Sequence, residues 1–335
     1  MSKPIRLLNV DQIVTSDGKV VDLSQIAEMP TINIADGYSA EVTSAFAFGG
    51  INETSSAYRS DYEEISFADL STGVIQHTGL QTAKQSGRAE SVGQTIYHIC
   101  GYSSGGSVVG SIEKVALVTK SYSTISDTMT PTHTGMGFSN GSVIVHVGGN
   151  STGTTYFSHM NSLNPSNDSV NNSYGTLTIG KRAAGAASSS DEAMLMGGMN
   201  DGSWAGVKDV SKFSLSSGGA NVGFGQLTED GKWSEGCSNN VSGFMAGVYK
   251  ASYTTDIFTH SFSDNSAKVS FGTMVHVQYA GGESSNGEVG VRKGGHDTAA
   301  TRNSDAFNMT DGSSYTIGSV LNHRYHCAGA SGSSS

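Results

Sequence analysis

Short apolar runs that stop at glycine punctuate this chain at even intervals. They are AFAFGG (Ala45–Gly50), IYHICG (Ile96–Gly101), VIVHVGG (Val143–Gly149), AMLMGG (Ala193–Gly198), SGFMAG (Ser242–Gly247) and VRKGG (Val291–Gly295), and each gives way to a polar loop. Taking the last glycine of each as a marker, Gly50, Gly101, Gly149, Gly198, Gly247 and Gly295 lie 51, 48, 49, 49 and 48 residues apart. Between markers, apolar and polar residues alternate with period two, the pattern of half-buried strands. After AFAFGG come Glu63–Leu70, Val74–Leu80 and an Ala/Gly/Ser-rich run from near Arg88; the second repeat offers Ile112–Thr119, Ser123–Thr130 and Thr134–Gly141. Four short strands per repeat, joined by glycine-rich or polar turns, predict antiparallel four-stranded sheets.

Repeats of roughly 40–50 residues made of short strands point to a radial β-propeller rather than a single sandwich. Six markers predict six four-stranded blades in one all-β domain over residues 39–335. The fourth run of each repeat is dominated by small side chains, as in Lys181–Ser190 (KRAAGAASSS) and His326–Ser335 (HCAGASGSSS). Small residues belong where strands converge, so this run is placed innermost. Larger apolar residues of the glycine-ended strand and its successor then fill the space between blades. The last run is an inner strand and the first is a glycine-ended one, so N- and C-terminal strands are expected to share a blade and close the ring without open edges.

Residues 1–38 stand outside the repeat. Alternation around Ser16-Asp17-Gly18 suits either a hairpin of Ile13–Thr15 with Lys19–Leu23 or an extended arm. Ile5, Leu7, Leu8, Ile13, Val14 and Val21 have too little chain around them for local cover, so the arm is expected to dock on the propeller or on another protein.

Composition narrows the partners. With 44 glycines, 4 prolines and only 14% charged residues in 335, the chain reads as turn-rich β structure. A formal net charge of −10 without a basic stripe argues against nucleic acid. The apolar segments are too short for membrane insertion by a helix, and Met1–Leu8, with Lys3 and Arg6, lacks the apolar core of a signal peptide. Cys100, Cys237 and Cys327 are odd in number and unpaired by spacing, so they are expected to be buried thiols of a reducing compartment.

Chemistry-bearing residues are sparse. His98 and His146 precede their markers by the same three positions, but the other repeats put Ala47, Leu195, Phe244 and Arg292 there, which completes no ligand set. His323 and His326, at odd spacing on a strand, are expected on opposite faces. Arg88, Arg182 and Arg324 recur near the start of the inner strand, a place for blade-to-blade ion pairs or an axial anion site. The neighbouring pairs Glu63-Glu64 and Asp191-Glu192 face opposite sides of a strand, as solvated charges do. No catalytic residue, cofactor or metal is expected. The loops after the markers, Asn52–Ser60, Ser103–Gly110, Asn150–Tyr156, Asn200–Gly206 and His296–Asn303, share one rim. Asn52, Tyr58, Ser103, Asn150, Tyr156, Asn200, Trp204, His296 and Arg302 are its candidate contact residues.

The glycine pair after four apolar residues, the polar loop, the alternating strand and the small-residue inner strand resemble the kelch repeat and the related galactose-oxidase central domain, from about Thr43 to Ser335. The tyrosine and tryptophan which that family places after the glycines are mostly missing; Trp204 and Trp233 are the only tryptophans. The Tyr–Cys copper-radical constellation is not visible, and Thr228–Trp233 only approximates the box repeated in sialidases. In style, an acidic, disulfide-free propeller with a non-repeating arm resembles virion proteins of tailed bacteriophages. That resemblance implies a non-enzymatic structural or binding protein assembled in the bacterial host cytoplasm. Its arm would dock to other virion proteins and its rim would meet a host-surface glycan or protein. The alternatives are a cytoplasmic kelch-type adaptor and a glycan-active enzyme.

Overall fold

Each glycine-ended run forms the second strand of a four-stranded antiparallel sheet in the computed structural model, which describes residues 12–14, 20–22, 42–52, 55–71, 74–151, 155–200, 203–219, 222–265, 271–297 and 300–332. Six such sheets stand in a ring, the architecture of a six-bladed β-propeller. Blade 1 joins Ala328–Gly332 to Ser44–Phe48, Asp61–Ser66 and Ile75–Thr78, with Phe48 opposite Ala328 and Ser44 opposite Gly332. Strands from the two ends of the repeat region therefore share a blade, as their phase predicts. From inner to outer strand, blade 2 is Arg88–Val92, Thr95–Ser103, Val108–Ala116 and Tyr122–Thr124, and blade 3 is Met136–Ser139, Ile144–Val147, His159–Asn164 and Ser169–Thr176. Blade 4 is Gly185–Ser188, Glu192–Met196, Val207–Ser214 and Val222–Gly231; blade 5 is Cys237–Ser238, Ser242–Ala246, Asp256–Ser261 and Gly272–Thr273. Blade 6 is Gly282–Ser285, Val289–His296, Ala300–Asn308 and Ser314–Thr316. No helix occurs among the described residues, and so none is long and apolar enough to cross a membrane.

The core lies at the seams. Six apolar clusters join neighbouring blades: Phe46 and Phe48 meet Ile96 and Val115, Ile99 and Ile112 meet Ile144 and Leu163, and Phe138 and Val145 meet Leu195 and Phe213. Met194 and Val210 meet Met245 and Phe258, Phe244 and Ile257 meet Phe307, and Val291 and Ala306 meet Ala45 and Ile65. Burying these residues removes apolar area from water only when all the blades are assembled. Cys100, Cys237 and Cys327 are free, buried thiols within this packing.

Six residues in the left-handed region open the inner strands. Ser86, Thr134, Ala183, Trp233, Ala280 and His326 have φ between 51° and 62°. Each donates its N–H to the carbonyl of its counterpart in the neighbouring blade: Ser86 to His326, His326 to Ala280, Ala280 to Trp233, Trp233 to Ala183, Ala183 to Thr134 and Thr134 to Ser86, at 2.7–2.9 Å. The circuit is closed around the axis. Five residues further along, every blade carries a serine: Ser91, Ser139, Ser188, Ser238, Ser285 and Ser331. Ser139, Ser188, Ser238 and Ser285 donate their hydroxyls to the carbonyls of Ser91, Ser139, Ser188 and Ser238, and the Ser285 N–H donates to Ser331 Oγ. Between these two rings the Arg88 guanidinium crosses the axis from blade 2 to Glu235 in blade 5.

This frame corrects two readings of the repeat. Gly247, with φ 56°, matches the first glycine of the other pairs (Gly49 57°, Gly148 65°, Gly197 63°, Gly294 60°), so Val248 takes the second place and Met245, not Phe244, is the counterpart of His98. Arg88, Arg182 and Arg324 are not equivalent either: they stand two after, one before and two before the left-handed residue. Arg324 Nη1 donates to the carbonyls of Ala47 and Gly49, and its Nη2 pairs with Glu63 at 2.7 Å and Asp61 at 3.2 Å, so Glu63 is a buried seam charge, not a solvated one. Glu64 is buried as well, beside Lys120 at 2.8 Å.

The first glycine is demanded by space as well as by φ. A Cβ at Gly148 would lie 2.3 Å from the Lys181 carbonyl oxygen, whereas at Gly93, also left-handed, it would meet nothing within 4 Å. Gly148→Ala is expected to cost about 3 kcal/mol in denaturant unfolding and Gly93→Ala about 1 kcal/mol; equal losses would show that the Lys181 carbonyl yields freely.

The chain divides into two units, Met1–Ala35 and Asp36–Ser335. In the first, Gln12–Val14 pairs antiparallel with Val20–Asp22, Ile13 facing Val21, which is the hairpin alternative. Ile5, Leu7 and Leu8 lie outside the described residues, as do the side chains of Ile13, Val14 and Val21.

Candidate functional site

The loops after the marker glycines and the segments entering each inner strand meet on one face of the propeller. The residue just before each left-handed position points its chemistry there: Gln85, His133, Arg182, Lys232, Tyr279 and Tyr325. Six equivalent positions with five different side chains, all large and polar or aromatic, are a place where sequence serves something other than the fold.

Rings gather around them. Tyr58 lies 6.2 Å from Tyr102, which lies 5.6 Å edge-on from His133, and Gln85 Nε2 donates to the Tyr58 hydroxyl at 3.3 Å. On the other side an unbroken run leads from Trp233 to His326 (5.2 Å), Tyr325 (4.9 Å), His296 (5.1 Å), Tyr279 (5.3 Å), Tyr253 (5.1 Å, stacked) and Tyr249 (5.4 Å). Lys232 Nζ stands 5.3 Å over the Tyr249 ring and donates to the Trp204 carbonyl. The Arg182 guanidinium carbon lies 4.5 Å from the Tyr156 ring centre, 4.4 Å from Trp204 and 5.4 Å from Trp233. At the centre, the ring of left-handed residues floors a shallow depression lined by Ser86, Thr134, Ala183, Trp233, Ala280 and His326.

Burial sets the charge of this face. It pushes His133 down to about 4, helped by Arg182, and His326 down to about 3, helped by His133 and the nearby arginines. Both imidazoles are therefore neutral at pH 7. His98 and His146, buried in adjacent blades, are held down to about 4 and about 3 for the same reason, and His98 Nδ1 lies 3.7 Å from Glu113. They are packed residues. His326 sits in the left-handed ring rather than on a strand, which corrects the expectation of two histidines on opposite strand faces; His323 is exposed.

Beyond the ring, a cavity of about 130 Å³ runs along the axis, lined by the inner strands and the serines. Burial and the neighbouring Glu235 raise the Glu90 carboxyl to about 8; burial raises Glu235 to about 7 although Arg88 opposes it. Glu235 is fully engaged: one oxygen takes Arg88 and the other the N–H groups of Gly329 at 2.6 Å and Glu283 at 3.2 Å. Among the described residues no group of three or more His, Cys, Asp or Glu is placed to hold a metal ion.

Of the rim residues expected from sequence, Tyr58, Tyr156, Trp204 and His296 belong to this aromatic face. Asn52 pairs with Ala57 within its own loop, and Ser103 (8% exposed) and Asn150 (2% exposed) are buried in turn and backbone pairing, so the last two hold loops rather than meet partners. Asn200 pairs with Lys181 in a short two-stranded ladder. Arg302 is exposed on blade 6 with Nε on the Val320 carbonyl. Residues 53–54, 152–154, 201–202 and 298–299 of these loops lie outside the described set. Tyr102, His133, Tyr249, Tyr253, Tyr279 and Tyr325 were not expected. For His133, Tyr279 and Tyr325 the signal was the position before the small-residue run, legible only once the six runs are aligned on it; Tyr102, Tyr249 and Tyr253 lie in the segments just after Gly101 and Gly247.

Fold and face together define a six-bladed propeller with a cluster of aromatic side chains at one end of its axis. A solved structure of YjhT is similar to this chain with a TM-score of 0.65, covering 81% of this chain and 96% of that one at 13% identity, a likeness of fold alone. No protein-family model matches the sequence, and no curated protein matches it.

Proposed function

We propose that this protein is a non-enzymatic glycan-binding propeller whose aromatic face holds a saccharide of a host cell surface. One observation carries the reading: the arc of rings from Trp233 through His326, Tyr325, His296, Tyr279 and Tyr253 to Tyr249, each within 5.5 Å of the next. A pyranose offers C–H faces that lie on such rings, and its hydroxyls need the polar edges that tyrosine, histidine and lysine supply. In the fuller version the protein is a virion component assembled in the bacterial cytoplasm, with residues 1–38 docking to other virion proteins. Composition and the non-repeating segment support that version.

The enzyme reading is favoured by Glu235, a carboxyl poised near neutrality beside the depression, but its oxygens are occupied by Arg88 and two backbone donors, as in a structural strut. Hydrolysis or lyase products from incubated polysaccharide, lost in Glu235→Gln, would establish turnover and overturn the non-enzymatic reading.

The binding test is a surface-immobilised panel of bacterial surface polysaccharides. The full chain is expected to bind a subset saturably, and a Tyr253→Ala/Tyr279→Ala double variant to bind at least about tenfold more weakly at unchanged melting temperature, since each ring contributes about 1 kcal/mol. Equal binding by the variant would remove the aromatic face from the account.

A further inference from the structure

Arg182 is the group on this face that the fold leaves unexplained. Its side chain is 3% exposed and lies between the rings of Tyr156 and Trp204, yet its Nε and Nη2 have no acceptor among the described residues. Five other buried cations lie near a carboxylate: Arg88 meets Glu235, Lys84 meets Glu113, Lys181 meets Asp209, Arg292 lies near Glu283 and Arg324 meets Glu63. Lys293, whose Nζ also lacks an acceptor among the described residues, lies 6.0 Å from the Phe46 ring in the core rather than among the rings of this face. No ion pair joins Arg182 to a described carboxylate. Lys232, which raises the positive potential at Arg182, donates to the Trp204 carbonyl and so holds the backbone of the ring that covers the guanidinium. A buried guanidinium with two idle donors is costly unless an anion completes it, and its planar fork suits a carboxylate held by two parallel hydrogen bonds.

We infer that Arg182 is the anion-reading subsite of the aromatic face and that the saccharide it holds is acidic, a uronate-bearing polysaccharide whose carboxylate takes Nε and Nη2 while its neighbouring sugar lies on Trp204 or Trp233. This rests on the glycan-binding reading above and deepens it. A saccharide suits the face better than single-stranded nucleic acid, because a phosphate chain needs a stripe of cations and this protein, at net charge −10, offers one uncompensated arginine with Lys232 beside it. Trp204, 57% exposed, is the most exposed of the three rings around the guanidinium.

The molecule carries its own reporter. Its 2 tryptophans, Trp204 and Trp233, both lie within 5.4 Å of the Arg182 guanidinium, so intrinsic tryptophan emission reports this subsite and the end of the ring arc that Trp233 begins. The full chain is titrated with oligomers of galacturonate, alginate and hyaluronan, with the carboxyl-reduced form of each, and with a single-stranded oligonucleotide. The expected result is a saturable emission change with at least one uronate oligomer, at least tenfold tighter than with its carboxyl-reduced form, and a ratio falling to near one in Arg182→Gln. Arg182→Lys keeps the charge without the fork and is expected to retain part of the preference; the comparison of ligands on the native chain stands even if Arg182→Gln fails to fold. Equal affinity for acidic and reduced forms overturns the inference while leaving the glycan-binding face intact. Tighter binding of the oligonucleotide, or no emission change across the whole panel, overturns both.

Discussion

Deletion of residues 328–335 is expected to leave a chain with no cooperative unfolding transition. The missing segment is one strand of blade 1, yet its loss reaches every seam. Ser44–Phe48 would lose its partner over the whole register from Phe48–Ala328 to Ser44–Gly332, exposing a bare edge at the axis. Phe46 and Phe48, both 0% exposed, would lose the cover of Ala328 and Ala330. Glu235 would lose the Gly329 N–H and with it one of the donors that hold the axial strut. A ring differs from an open stack because each blade is stabilised from both sides, and opening one seam frees two edges for aggregation. Circular-dichroism melting with size-exclusion chromatography decides it: a single sharp transition within a few degrees of the full chain would mean that closure contributes little. The point version is Arg324→Ala, which leaves the buried Glu63 without its cation while Asp61 keeps Arg59, and is expected to cost about 3–5 kcal/mol.

Stability is expected to peak near pH 6.5 and to fall on both sides for different reasons. On the acid side, burial holds His98 and His133 down to about 4 and His146 and His326 down to about 3. Groups with a depressed folded pKa contribute stability above their unfolded value near 6.5, and that contribution drains away as pH falls toward the folded values, because the unfolded chain takes up the protons first. On the alkaline side Glu90 and Glu235 have folded values raised to about 8 and about 7. Their contribution is present below the unfolded carboxyl value, declines as pH rises through that value and is gone above about 8. Among these six groups, four histidines against two carboxyls make the combined slope positive up to 6.5 and negative from there to 8, where Glu283, raised by burial, adds to the fall and Lys293, held well below its usual value by burial, opposes it. Each group contributes roughly 1.4 kcal/mol per pH unit over the range between its unfolded and folded values. Urea midpoints from pH 3 to 9 test the profile. Glu90→Gln, which removes a carboxyl that has no cation bonded to it, is expected to raise the melting temperature at pH 9 by about 2–4 °C and to flatten the alkaline limb; an unchanged limb would remove Glu90 from the account.

Most of the architecture was legible. Period-two alternation set the strands, the glycine pairs set their ends, and small residues set which strand lies inward, because each is a local demand of backbone geometry. The phase of the first and last runs foretold the shared blade. Counting from the marker failed where the local signal was ambiguous: SGFMAG and IYHICG each have one glycine where the other four runs have two, in the first place in SGFMAG and in the second in IYHICG, so Gly247 was put one residue out of register. Arg88, Arg182 and Arg324 looked equivalent at a distance of a few residues, yet they do three different things, a strut across the axis, an unpaired guanidinium among rings and a seam ion pair.

The sequence by itself determined the number of blades, the order of strands within them and the segment that closes the ring, since those follow from patterns repeated inside every stretch of some fifty residues. Only the tertiary structure decided which side chains share the face. Tyr249, Tyr253, Tyr279, His296 and Tyr325 come from three successive repeats, and Arg182 meets Tyr156, Trp204 and Trp233 because a left-handed residue at the head of each inner strand turns the preceding side chain toward the axis. That turn is held by hydrogen bonds running from blade to blade around the ring, and no single repeat contains them.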